Sequence, residues 1–132
     1  MKKRGILNKD LSMLLASLGH TDTIVIADCG LPIPNGTDRI DLSLVKGFPP
    51  FLSVLDAVLE ELEVEALTLA EEIKKENPIM YENIQQRLSD VPMQFVPHEQ
   101  LKEMTKSAKA VIRTGEATPY ANIILRSGVN FS

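Results

Sequence analysis

Ile24-Val25-Ile26-Ala27-Asp28-Cys29-Gly30-Leu31-Pro32-Ile33-Pro34 is the stretch on which the fold turns. Its first four residues are apolar and mostly β-branched. A run this short, without polar alternation, predicts a strand buried on both faces, as in a parallel sheet. Gly30 and the two prolines then make a fixed loop. Asp28 falls where strand meets loop, the edge at which α/β sheets hold ligands.

Upstream, Asn8 reads as a helix N-cap with Asp10 in the first turn, near the positive end of the dipole. Leu11, Leu14, Leu15 and Leu18 keep a helical period over about residues 9–18, and Gly19 is expected to end that helix in a left-handed conformation. His20 follows at once. Downstream, Arg39–Leu42 alternates like a short strand, and helical spacing runs from Phe51 to Leu62. Val64–Ala70 fits a strand and Glu71–Glu76 a solvated charged stretch. Asn77-Pro78 fits an N-cap with proline at the first helical position, opening a helix that runs to Leu88. Met93–Val96 reads as strand, Pro97–Gln100 opens a short helix, Ala110–Ile112 is a strand, and Tyr120–Leu125 is strand-like. This order predicts an α/β protein. Neither G-x-G-x-x-G nor G-x-x-x-x-G-K-[ST] occurs, so a dinucleotide or P-loop fold has no direct support.

The 132 residues suit one domain of ordinary size, 1–132, with 44% apolar and 24% charged residues. Four Phe, two Tyr and no Trp leave the core to Leu, Ile, Val, Ala and Met. A net charge of −4 without a basic stripe argues against nucleic acid. Met1-Lys2-Lys3-Arg4 resembles the start of a signal peptide, but Asn8, Lys9 and Asp10 interrupt the apolar run that follows, and no small-x-small cleavage site succeeds it. No window approaches the roughly 18 to 20 apolar residues of a membrane span. Cys29 is the only cysteine, which fits a reducing compartment. A cytoplasmic protein with no membrane association is expected.

Candidate chemistry is sparse. His20 and His98 are the only histidines, each at a helix end beside an expected strand, and histidine can give or take a proton near neutrality. A capping or surface role is the plain alternative for each. Tyr120 and Asn122 stand two apart in the expected strand and would share a face, with Ala121, Ile123 and Leu125 on the other. A phenol beside an amide suits a neutral polyhydroxylated ligand. A strand over 23–27 would span about 15 to 18 Å, which sets His20 and Asp28 near opposite ends of it. A site using both then requires a folded-back loop or a second subunit. Two histidines and a carboxylate could form a metal triad, but H-x-x-x-H and H-x-H spacings are absent. Nothing nearby in sequence activates Cys29, and no serine sits in a nucleophile elbow.

Several segments carry a resemblance: Lys3–Asn8, Leu18–Asp22, Ile24–Pro34, Ile40–Leu44, Ala110–Glu116 and Thr118–Leu125. Together they make the chain similar to the D-ribose pyranase family, relatives of the bacterial fucose mutarotases, over its whole length. Residues 50–95 match only in pattern. Cys29 stands where alanine or another small residue is expected. The resemblance implies a three-layer α/β/α sandwich with a parallel or mixed sheet, and no cofactor or metal. It implies His20 as proton donor, and Asp28, His98 and the segment Tyr120, Ala121, Asn122 as the sugar-binding residues. It also implies a homo-oligomer, typically a decamer of two pentameric rings, with the site between adjacent subunits and D-ribose or a related monosaccharide as substrate. A non-catalytic sugar-binding accessory of a ribose uptake system and a metal-dependent sugar isomerase are the rival readings.

Overall fold

A computed structural model of the chain describes residues 1–131. The run Ile24–Ala27 lies in strand β1, Thr23–Ala27, and Ile24, Val25, Ile26 and Ala27 are all fully buried. Ile24 and Ile26 enter one apolar cluster, Val25 and Ala27 a second on the opposite face. Burial on both faces is the physical reason the strand lacks polar alternation.

Helix α1 (Lys9–Ser17) is capped as expected, with the Leu11 N–H donating to Asn8 Oδ1 at 2.9 Å. Its end differs from the expectation. Leu18 is extended, and Gly19 has no left-handed φ; the left-handed residue is Thr21, at φ 71°. The chain then runs through β1, β2 (Asp38–Asp41), α2 (Phe51–Leu59) and β3 (Val64–Ala70). The stretch expected to be merely solvated contains a short helix, α3 (Ile73–Glu76), because Ile73 is fully buried and anchors it. Next come α4 (Pro78–Arg87), β4 (Met93–Val96), α5 (His98–Met104), a 3-10 turn, β5 (Ala110–Arg113) and β6 (Ile123–Ser127). Asn77 caps α4 with Pro78 at its first position.

The six strands form one sheet in the order β2-β5-β1-β6-β3-β4. Only β6 runs antiparallel to its neighbours β1 and β3; the β2–β5, β1–β5 and β3–β4 pairs are parallel. The sheet is therefore mixed. Helices α1, α2 and α4 cover one face through Leu11, Phe51, Leu55, Val58, Met80 and Ile84. Leu101 of α5, with Leu31 and Ala108, covers part of the other. The result is the three-layer α/β/α sandwich. Because five strands point one way, their C-terminal ends gather along one edge of the sheet, and β6 begins at that same edge.

Candidate active site

Four chain segments converge at that edge. Asp28 follows β1, Glu72 lies two residues past β3, His98 opens α5 directly after β4, and Tyr120, Ala121 and Asn122 lead into β6. Asp28 and Asn122 are 94 residues apart in sequence yet bonded twice: the Asp28 N–H donates to Asn122 Oδ1 at 2.8 Å, and Asn122 Nδ2 donates to Asp28 Oδ2 at 3.0 Å. The other Asp28 oxygen accepts the Gly30 N–H at 2.9 Å, so the loop after β1 wraps its own carboxylate. Asn122 is fully buried while Asp28 is half-buried, which leaves the carboxylate facing out with its remaining acceptor capacity.

Tyr120 departs from the expected strand. It has φ 57°, in a turn, and β6 starts only at Ile123. The turn is fastened from the N-cap of α4, where Asn77 Nδ2 donates to Thr118 Oγ1 at 3.0 Å and to the Pro119 carbonyl at 2.8 Å. Ala121, Ile123 and Leu125 do share the core-facing side, as the alternation required. The Tyr120 ring meets the His98 ring edge-on, with centroids 5.1 Å apart and planes at 85°. His98 is held at its backbone by Glu72, whose two carboxylate oxygens accept its N–H at 3.0 and 3.1 Å. Pro97 offers no side-chain cap, so Glu72 satisfies an orphan donor of α5 from another segment. His98 Nδ1 is buried and has no partner among the described residues. A buried ring nitrogen without a partner is costly, and a ligand or a water at this edge would complete its bonding.

His20 is not at this edge. Thr23 pairs with Arg126, so His20 lies at the far end of β1, beyond about 16 Å of strand. The ring is half-exposed, and Nε2 lies 2.9 Å from Glu65 Oε2. The other Glu65 oxygen lies 2.9 Å from Arg126 Nε. The hydrogen bond from His20 first, then the charges of His20 and Arg126, hold the Glu65 carboxyl below the ordinary glutamate range. His20 sits in a tight turn: the Gly19 N–H donates to Asp22 Oδ2 at 2.9 Å, and the Thr21 N–H to the Ser127 carbonyl at 2.9 Å. Thr21 is β-branched and left-handed, a strained combination that persists only where its surroundings impose it. Thr21 and Tyr120 are the non-glycine residues with positive φ among those described, and each adjoins one group of candidate residues.

The structure thus gathers Asp28, His98, Tyr120, Ala121 and Asn122, and separates His20 from them. Sequence reasoning missed Glu65 and Glu72. Charge within a strand is the only local signal for the first, and nothing in the composition distinguishes the second. Among the described residues no three His, Cys, Asp or Glu side chains are grouped to hold a metal, and no helix is long and apolar enough to cross a membrane.

The chain is similar over its whole length to known proteins. A D-ribose pyranase of Geobacillus kaustophilus is 80% identical, covering 100% of this chain and 97% of the relative. The structure of Bacillus subtilis RbsD complexed with D-ribose superposes with a TM-score of 0.96 at 51% identity, covering 99% of this chain and 100% of that one. The fucose mutarotase of Streptococcus pneumoniae, in complex with L-fucose, superposes with a TM-score of 0.81 at 25% identity, covering 95% of each chain. The model of the RbsD / FucU transport protein family matches residues 1–130, and the chain belongs to that family.

Proposed function

We propose that the chain is a D-ribose pyranase, which interconverts the pyranose and furanose forms of free D-ribose without a cofactor. The observation that carries this is the doubly bonded Asp28–Asn122 pair beside the His98–Tyr120 rings at the strand-end edge. A carboxylate, a phenol and a free imidazole nitrogen there can bond several hydroxyls of one neutral sugar. The D-ribose pyranase relatives and the ribose-bound relative support ribose as the substrate.

His20 is the proton donor and comes from an adjacent copy of the chain. Its position beyond the opposite end of β1 excludes joint action with Asp28 inside one subunit. The imidazolium gives its proton to the ring oxygen as the C1–O5 bond breaks. The protonated aldehyde returns its O1 proton to the imidazole, and the 4-hydroxyl then closes on C1 by the reverse transfers. The catalyst ends as it began. Because this exchange also runs unaided in water, acid–base catalysis of about 10²- to 10⁴-fold supplies most of what is needed.

An assembly is supported by a second feature. Leu44, Val45 and Phe48 are exposed on the loop between β2 and α2, and Leu7 is exposed nearby. That loop is pinned: the Gly47 N–H donates to the Gly115 carbonyl at 2.6 Å, and the Gly115 N–H to the Pro49 carbonyl at 2.8 Å. A rigid exposed apolar loop marks a protein–protein surface. We assign a cytoplasmic homodecamer of two pentameric rings.

Two-dimensional exchange NMR of ribose, with and without protein, tests the activity. Accelerated pyranose–furanose exchange is expected. Saturable ribose binding without acceleration would instead identify a sugar-binding accessory, a reading that the family's description as transport proteins favours.

A further inference from the structure

We propose that Glu65 is the positioning residue for His20, fixing the ring so that Nδ1, and not Nε2, exchanges the proton with the sugar. The inference rests on the catalytic reading of His20 and specifies which atom acts.

Glu65 is placed by a defect in the sheet. Along β3, Val64 pairs with Ser127 and Ala66 with Arg126, so two steps on β3 answer one on β6. Glu65 is the extra residue of a β-bulge. Bulges re-aim a side chain out of the regular alternation. Here the carboxylate lies between two nitrogen partners, Oε2 at 2.9 Å from His20 Nε2 and Oε1 at 2.9 Å from Arg126 Nε. The Glu65 side chain is about 29% exposed.

A carboxylate only accepts, so Nε2 must carry the hydrogen in both the neutral and the charged ring. Nδ1 then holds the lone pair of the neutral form and is the nitrogen left for the substrate. When the ring charges, the adjacent carboxylate stabilises the imidazolium. The turn of Gly19–Asp22 holds the backbone of His20 while Glu65 holds its ring. The Glu65 carboxylate is shared with Arg126 on β6, and Asp22, in the same turn as His20, is engaged by the Gly19 N–H.

Arg126 makes the inference sharp. In a Glu65→Gln protein the carbonyl oxygen of the new amide stays with the guanidinium, and the NH₂ turns to His20. An amide NH₂ can only donate, so it selects the opposite tautomer, with the hydrogen on Nδ1. A Glu65→Ala protein selects neither.

The experiment is ring ¹⁵N NMR of the assembled, histidine-labelled protein at a pH where the ring is neutral, with His98→Gln used to assign the two histidines. We expect hydrogen on Nε2 of His20 in the wild type, on Nδ1 in Glu65→Gln, and a mixture in Glu65→Ala. In ribose exchange, Glu65→Gln should lose at least about tenfold in kcat with KM within about twofold, a split expected when orientation of an acid–base group is lost. A wild-type ring protonated on Nδ1, or a Glu65→Gln protein with unchanged tautomer, overturns the inference. The two readings separate through His20→Ala. Full exchange in that protein beside an inverted tautomer in Glu65→Gln would end the catalytic assignment of His20. Lost exchange beside an unmoved tautomer would end the role of Glu65 alone.

Discussion

Asn122 and Asp28 hold one another by reciprocal hydrogen bonds, amide oxygen to backbone N–H at 2.8 Å and amide nitrogen to carboxylate at 3.0 Å. The bond fixes the end of β1 to the start of β6 and orients the carboxylate at once. Replacing Asn122 with Ala leaves the Asp28 N–H unpaired in a partly buried place, which costs at most about 1–3 kcal/mol. The expected outcome is a lower urea midpoint together with weaker ribose binding by titration calorimetry. Unchanged ribose affinity would show that the pair serves stability only.

Mixed assemblies test the shared site. His20→Ala and Asp28→Asn proteins should each be nearly inactive. Co-assembled in equal amounts after unfolding, about a quarter of head-to-tail interfaces would join an intact His20 to an intact Asp28, and exchange activity should return in proportion. Activity that stays at the level of the parents would overturn a site shared between copies.

Gly115 has no room for a side chain. A Cβ built there falls on the backbone of Phe48, closer than real atoms approach. Gly115→Ala must push away the apolar loop of Leu44–Phe48, at a cost of about 1–3 kcal/mol or more. Analytical ultracentrifugation should show smaller species at equal concentration, since the displaced loop carries the proposed contact surface. A variant of wild-type mass and stability would remove that loop from the assembly.

The His20–Glu65 pair makes a prediction about acid. The folded-state pKa of Glu65 is depressed, chiefly by the hydrogen bond from His20. A depressed carboxylate contributes stability above its unfolded pKa and loses it as pH falls through the folded value. The window therefore lies below the ordinary glutamate range. Carboxyl ¹³C titration should give Glu65 a low midpoint that rises toward the ordinary value in His20→Ala. Equal midpoints in the two proteins would mean that the bond does not persist in solution.

The features legible in the sequence were those set by neighbouring residues. Ile24–Ala27 announced two-sided burial, and Asn8 and Asn77 announced caps that form as read. Asp28 was placed at a strand end because its neighbours Gly30 and Pro32 break the strand. Tyr120 does not read as a turn because its left-handed conformation is imposed from a distance, by Asn77 at the N-cap of α4. Gly19 invited a left-handed residue that the fold assigns to Thr21, whose N–H is drawn to Ser127. Glu65 was invisible for the same reason: a bulge exists only between two strands, and its partner lies some sixty residues on.

The length of β1 has a consequence for stoichiometry. His20 and the Asp28 edge lie beyond opposite ends of β1, so under the proposed shared site each copy would offer one half forward and the opposite half backward. An open row of such copies leaves an orphaned half at each terminus, so a dimer joined this way completes one site and wastes two halves. Only closure of the row into a ring gives every chain a working site. On that proposal dilution should lower activity per chain before any subunit unfolds, and ring closure would be a catalytic requirement as well as an architectural one.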